Sequence, residues 1–320
     1  MGQVELGSAA TTRSRLLPDL RAALAVVALA CMSCPTAQAA AAPVERAYDI
    51  RGLEPAPDPN AQLMPRAPLT LGEALARVVA HVLAAGPQKD PLPPGDGQRF
   101  SVEHCDGRLL VAASAQQQEQ VQKLLDSFDK GKRTQIHIGI RFLQVDDAEL
   151  KAMRGRVQFG PLEPPAKDGG KSDKAPAYAL LVEQETQRLL TIILKERKGT
   201  LHIARRMTMF NTRHAQVDDN RGYVPAITRD DEPEIGGDLC DLRPFALPDG
   251  SIVILMSIPW RRVGADRVPV VGTTEGIFTL SDGKSALLTD FLGLPGYAKE
   301  PNRSWIILFS AVIVPDIFEE

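Results

Sequence analysis

The chain has 320 residues, 44% of them hydrophobic and 24% charged, with a formal net charge of −3. That composition is ordinary for a globular protein, excludes a disordered or collagen-like chain, and fits one or two modest domains. The near-neutral balance and an aromatic content of 5% give no electrostatic case for nucleic-acid binding and no base-stacking platform.

At the N-terminus, Arg13 and Arg15 precede an apolar run from Ala22 to Met32, and Ala37-Gln38-Ala39 follows as an A-x-A cleavage pattern. The run is too short to span a bilayer, which needs ~20 residues. Residues 1–39 therefore read as a signal peptide, and the chain as exported. Removing them leaves two cysteines, Cys105 and Cys240, which could pair in an oxidising compartment but read more simply as two isolated buried thiols. These two form no C-x-x-C, and the five histidines are scattered, so no metal-ligand spacing is present and no cofactor is expected. No other segment is long and apolar enough for a transmembrane helix.

Residues 40–68 are rich in Ala and Pro (EPAPDPNAQLMPRAP) and read as an extended linker, with AYDIRGL at its start as a short edge strand. From Leu71 to Ala84 the apolar positions Leu71, Leu75, Val78, Val79 and Val82 recur at helical spacing; Thr70 with Glu73 is a capping-box pair, and Gly86-Pro87 stops the helix. FSVEHCDGRLLVAA then places two strand-like runs around Asp106-Gly107, a type I′ hairpin signal. Ser114 caps a helix from Ala115 to Phe128, which Gly131 ends. In QIHIGIRFLQV, Ile136, Ile138, Ile140 and Phe142 alternate with polar or small residues, as in a half-buried strand. Residues 69–145 thus read as a small α/β module of order α-β-β-α-β, its sheet covered on one face by helices.

The remainder, 146–320, is mostly β. One or two helical turns follow Asp146, and a polar loop rich in Gly, Pro and Lys runs from Phe159 to Pro176. A helix is expected from Tyr178 to about Glu196, with Gly199 as its stop. Strands follow at LHIARRMTMF, HAQV, Leu239 to Phe245, SIVILMSIPW, GIFTL, SALLTDFL and WIILFSAVIV. Asp249-Gly250 and Asp282-Gly283 sit between strand-like runs as two further hairpin turns, and Asn211 suits the bend of another because it tolerates positive φ. Pairing of consecutive strands makes this half mainly antiparallel. The fold class is α+β.

Little in the sequence asks for chemistry. There is no G-x-S-x-G, no Gly-rich phosphate loop and no H-E-x-x-H. The acidic run RDDEPEIGGD lacks EF-hand spacing and reads as a solvated loop. His81, His137, His202 and His214 lie far from one another in sequence and read as structural; the pairs Arg205-Arg206 and Arg261-Arg262 read as solvated strand ends.

Several motifs, taken in order, resemble those of the secretins, the outer-membrane pore family of bacterial type II and type III secretion. GRLLVAASAQQQEQVQKLLDSFDKGKRTQIHIGIRFLQVDD resembles the family's periplasmic ring-building module running into its pore domain. VEQETQRLLTIILKERKGTLHIARRMTMFNTRHAQV is similar to its helix, strand and turn. IGGDLCDLRPFALPDGSIVILMSI, FTLSDGKSALLTDFLG and WIILFSAVIVPDIFEE resemble its later strands. The likeness extends over about two thirds of the chain. Departures are Asn-Thr-Arg at the turn, only GLPGYAKEPNRS where the family carries a longer gate insert, and a single ring module. What the resemblance implies is a non-enzymatic envelope protein, a subunit of a homo-oligomeric outer-membrane ring or channel for protein secretion, with secretion-system envelope proteins as partners. The alternative is a periplasmic structural or interaction protein with a degenerate secretin-like fold that forms no open pore.

Overall fold

A computed structural model describes residues 43–53, 69–85, 100–162, 177–218, 238–263, 269–281, 283–289 and 301–314. The expected signal peptide, most of the expected linker, all of the acidic run but Asp238, Asp282, and residues 293–300 of the stretch read as a shortened gate insert lie outside these residues. The described residues belong to one compact unit. In chain order the elements are β1 (Val44–Asp49), α1 (Leu71–Ala85), β2 (Ser101–Cys105), β3 (Arg108–Ala113), α2 (Ala115–Lys130), β4 (Gln135–Asp146) and α3 (Asp147–Arg154). Then come β5 (Gly160–Pro161), β6 (Ala177–Val182), α4 (Glu183–Leu194), β7 (Gly199–Phe210), β8 (Ala215–Asp218), β9 (Asp238–Ala246), β10 (Ile252–Val263), β11 (Pro269–Leu280), β12 (Lys284–Thr289) and β13 (Arg303–Val314). The fold is α+β, with antiparallel pairing throughout the described strands.

Among the described residues three sheets form: β1-β3-β2, β11-β10-β9-β8 and β5-β6-β12-β13-β4-β7. The last two face each other. Period-two alternation sends Ile136, Ile138, Ile140 and Phe142 of β4, and Ile307 and Phe309 of β13, against Ile252, Ile254, Met256 and Ile258 of β10. The outer face of the six-stranded sheet (Leu143, Val145, Leu181, Leu287, Ile306, Leu308) is covered by Leu150 and Met153 of α3 and by Leu189 and Ile193 of α4. The outer face of the four-stranded sheet contributes Phe245, Val253, Leu255 and Ile277 to a core shared with α1, α2 and the three-stranded sheet. Central strands therefore have an apolar layer on both sides, which is why SIVILMSIPW and WIILFSAVIV read as nearly continuous apolar runs.

The local signals of the first half hold. Thr70 and Glu73 make the capping box, with Glu73 N–H donating to Thr70 Oγ1 at 3.2 Å and Thr70 N–H to Glu73 Oε2 at 2.9 Å. Ser114 and Gln117 make a second one at α2. The AYDIRGL region supplies the edge strand β1, tied in by buried Gln118, whose Nε2 donates to Val44 O at 2.5 Å and Val111 O at 2.8 Å.

Three expectations change. First, β4 does not belong to the small module's sheet; it pairs with β13 and β7, and β1 takes the third place beside β3. Its second half is buried on both faces, so it is half-buried only at its start. Second, the long helix over Tyr178–Glu196 is shorter. Ala177–Val182 is a strand paired with β12, and α4 begins at Glu183, where Val182 N–H donates to Glu185 Oε2 at 3.1 Å. An apolar run such as AYALLV fits strand and helix equally, and the open edge of β12 decides it. Third, Gly199 is not a helix stop. It opens β7, where a Cβ would lie 2.4 Å from Gln144 O on β4, so only glycine permits that approach.

Candidate functional site

The outer face of the four-stranded sheet changes character along its strands. On β9 the alternation places Asp241, Arg243 and Phe245 on one face. Across the sheet, Phe245 lies opposite Val253, Arg243 opposite Leu255 and then Ile277, and Asp241 opposite Ser257 and then Glu275. The apolar end is roofed by α1 and α2. The helix α1 follows β11, with Arg77 bonded to Glu275 and His81 Nε2 3.0 Å from Thr279 Oγ1. Where α1 begins, the roof ends over the polar rows. What remains is a cleft of about 430 Å³ lined by Leu69, Thr70, Glu73, His214, Asp241, Arg243, Leu255, Ser257 and Glu275, among others.

Two of the three acids in this cleft are tied to a partner. The Glu73 carboxylate accepts from the Thr70 amide and hydroxyl, both at 2.9 Å, and the amide bond holds its carboxyl below the usual range. Glu275 pairs with Arg77 at 2.6 Å. Asp241 Oδ1 lies 3.4 Å from His214 Nε2, outside hydrogen-bond geometry. Arg243 is different. It is 8% exposed, its Nη2 donates to Leu69 O at 3.0 Å, and its Nη1 is buried without a hydrogen-bond partner. Burial pulls its pKa down to about 10, with no carboxylate offsetting the shift. Ser257, His214 and Asp241 are the residue types of a nucleophile, base and acid. Ser257 has no hydrogen bond to His214, however, and His214 turns Nε2 toward the acid, so the contact that activates a nucleophile is missing among the described residues.

The turn residues singled out in the sequence fall into two groups. Asp106 and Gly107 have φ of 49° and 71° and close the β2–β3 hairpin as a type I′ turn. Asp249 and Gly250 close the β9–β10 hairpin, but only Gly250 has positive φ, 81°. Leu247 N–H donates to Ser251 O and Gly250 N–H to Leu247 O, so this is a three-residue loop with an αL glycine and not a type I′ turn. The other two close no hairpin. β7 and β8 lie in different sheets, as do β11 and β12, so the bends at Asn211 and at Gly283 (φ 70°) carry the chain from one sheet to the other. At the first of these, Thr212 takes the positive φ, 65°, while Asn211 is 2% exposed and its Oδ1 accepts from Ala246 N–H at 2.9 Å.

Both described cysteines are free, Cys240 buried and Cys105 exposed, which corrects the expectation of two buried thiols. His137 is bonded to Thr208, and His202 packs against Trp305. Among the described residues, no three His, Cys, Asp or Glu are grouped to hold a metal ion, and no helix is long and apolar enough to cross a membrane. Sequence reading passed over Asp241 and Arg243. The signal was DLCDLRPF, where Asp241 and Arg243 alternate with buried Cys240 and Leu242.

No protein-family model matches the chain, and no curated protein matches it. Among solved structures it is similar to the InvG secretin domain β-barrel of the Salmonella injectisome, at 15% identity and a TM-score of 0.24, covering 86% of each chain. It is also similar to the type II secretin GspD of enteropathogenic Escherichia coli, at 12% identity and a TM-score of 0.23, covering 85% of this chain and 88% of that one. A third is the type II secretion secretin XcpQ of Pseudomonas aeruginosa, at 11% identity and a TM-score of 0.24, covering 93% and 81%. These are distant resemblances in structure, too low in TM-score to bear on function.

Proposed function

We propose that the chain is an exported, non-enzymatic structural protein of the bacterial cell envelope, which works in the periplasm by binding other protein chains and forms no open pore. What supports this is the double burial of its central strands within one chain. Ile252–Met256 of β10, Ser285–Thr289 of β12 and Trp305–Phe309 of β13 are buried at every position. A strand of a membrane barrel alternates a lipid-facing side with a lumen-facing side. In these stretches both sides are occupied, by the opposite sheet and by helices. Fractionation with native mass measurement tests the proposal: a soluble monomer or small oligomer in the periplasmic fraction is expected. A large heat-resistant multimer extracted from the outer membrane by detergent would refute it.

One feature favours a second reading, the subunit of a homo-oligomeric ring or channel for protein secretion with secretion-system partners. β7 is a 12-residue edge strand, and Phe210 at its end is 47% exposed. A long unpaired edge is a template for a further strand, and ring closure removes it. The same fractionation separates the two readings.

A further inference from the structure

β7 ends the six-stranded sheet, and its outer side meets no strand among the described residues. Asn211 N–H donates to Thr134 O at 2.8 Å, one step beyond the pairing of Phe210 with Gln135. In an antiparallel ladder, hydrogen-bonded and non-hydrogen-bonded pairs alternate. Counting back from Asn211, the residues Met209, Met207, Arg205 and Ile203 exchange their backbone bonds with β4. Phe210, Thr208, Arg206 and Ala204 therefore turn N–H and C=O toward the open edge. Neither proline nor a bulge interrupts this stretch. The Ala204 carbonyl accepts from Arg205 Nη1 at 3.4 Å, within the same strand. Side chains give the edge a sign. Arg206 is exposed on the outer face, Arg205 is half-buried on the face of Ile203 and Met209, and Arg141 of β4 stands beside Ala204. No acid occurs in β7, in β4 before Asp146, or in β13. Phe210, 47% exposed, ends the run. Two copies of β7 pair poorly with each other. Centred on Arg205, Arg206 or Met207, an antiparallel pairing sets an arginine opposite or diagonal to its twin, and like charges so placed destabilise a sheet.

We propose that β7 receives an extended segment of another protein as an added antiparallel strand, a segment in which two adjacent carboxylates follow an apolar stretch. This rests on the reading of the chain as a binder of other protein chains. The register sets the pattern. With the first residue of the segment opposite Phe210 and the seventh opposite Ala204, the fifth and sixth meet Arg206 and Arg205, one on each face. Carboxylates suit those two places. The second and fourth residues stand beside Met209 and Met207, at the rim of the core between the sheets, and suit apolar β-branched side chains. Main-chain bonds supply the affinity, and these side chains the choice of partner.

The probe is the peptide Val-Val-Thr-Val-Glu-Glu-Val, fluorescently labelled at its N-terminus and amidated at its C-terminus, titrated with the purified full chain and read by anisotropy. Saturable binding is expected, several-fold weaker when both Glu are replaced by Gln. N-methylation separates strand addition from other modes of binding. Methyl groups on the third and fifth amides, which face β7, are expected to abolish binding; on the second and fourth, which face away, to leave it. Thr208→Pro removes an N–H that bonds nothing on β4, and is expected to abolish binding while a cooperative thermal transition remains. If that variant does not fold, Arg206→Glu, an exposed change, is expected to weaken the Glu-Glu peptide and to strengthen one with Lys-Lys in its place. No saturable binding at millimolar concentration, the same response to both methylation patterns, or undiminished binding by the folded variants would overturn the proposal. So would a dimer of the chain alone that Thr208→Pro dissociates, which assigns the edge to a second copy. Fractionation tests the envelope reading independently, so the two fail separately.

Discussion

Asn211 is the residue whose meaning the fold alters most. It stands at the tip of MTMFNTRHAQV, where its tolerance of positive φ suggested the bend of a hairpin. In the folded chain Thr212 takes that conformation and Asn211 is buried, a three-way tie between segments. Its N–H donates to Thr134 O at 2.8 Å, its Oδ1 accepts from Ala246 N–H, and the next N–H, of Thr212, reaches Pro244 O at 2.9 Å. Asn211→Ala leaves the Ala246 N–H without its acceptor and is expected to cost about 1–3 kcal/mol in urea unfolding. A loss below a few tenths would mean that water replaces the side chain. Cys240 carries a pH effect of its own. Burial first, and the Asp241 carboxylate second, push its thiol above the ordinary value of 9.0. The folded state then keeps a proton that the unfolded chain releases, so this contribution to stability is complete below pH 9 and is lost as pH rises beyond it. Thiol titration under native conditions at pH 8 is expected to find Cys105 reactive and Cys240 silent until the protein unfolds.

At the scale of elements, turns were easy to find and hard to interpret. Asp106-Gly107 was legible because everything that decides it is local: two flanking strands and two residues with positive φ. Gly283 has the same local conformation, yet the strands beside it diverge into different sheets. Nothing within a few residues separates a hairpin from a corner; the choice depends on which faces find a distant partner to bury against. Tyr178–Val182 was misread for the same reason, since β12 lies about a hundred residues further on. The cleft was half legible. The alternating charges Asp241 and Arg243 stand two residues apart in one strand, but Ser257 and Glu275 reach them only through sheet register, and the start of α1 only through packing. Glycines give a direct test of the element assignments. Gly199→Ala should force β7 from β4, because a Cβ would meet the Gln144 carbonyl, whereas Gly250→Ala meets open space and only the strain of φ 81°. The expected loss is about 1 kcal/mol at Gly250 and clearly more at Gly199, measured by chemical denaturation. Equal losses would contradict the β4–β7 contact.

For the molecule as a whole, the packed layers make stability collective. Ile254 is fully buried and Ile307 1% exposed, and they belong to facing sheets of one core. An aspartate at either position places an unpaired charge between the sheets, so Ile254→Asp and Ile307→Asp are each expected to abolish folding, seen as loss of the cooperative thermal transition. Retention of that transition by both would mean that the sheets do not face each other. The pairing of β4 with β13 has one more consequence, and it concerns time. Gln135 is matched to Val314 and Asp146 to Arg303, so β4 waits for a strand made well over a hundred residues later. A ribosome, or an export channel threading the chain from its N-terminus, delivers β4 long before its neighbour exists. Until then Ile136, Ile138, Ile140 and an open strand edge are unprotected, a state that invites association with other chains. The interval between the two strands, set by register alone, is thus a window in which β4 has half of its pairing.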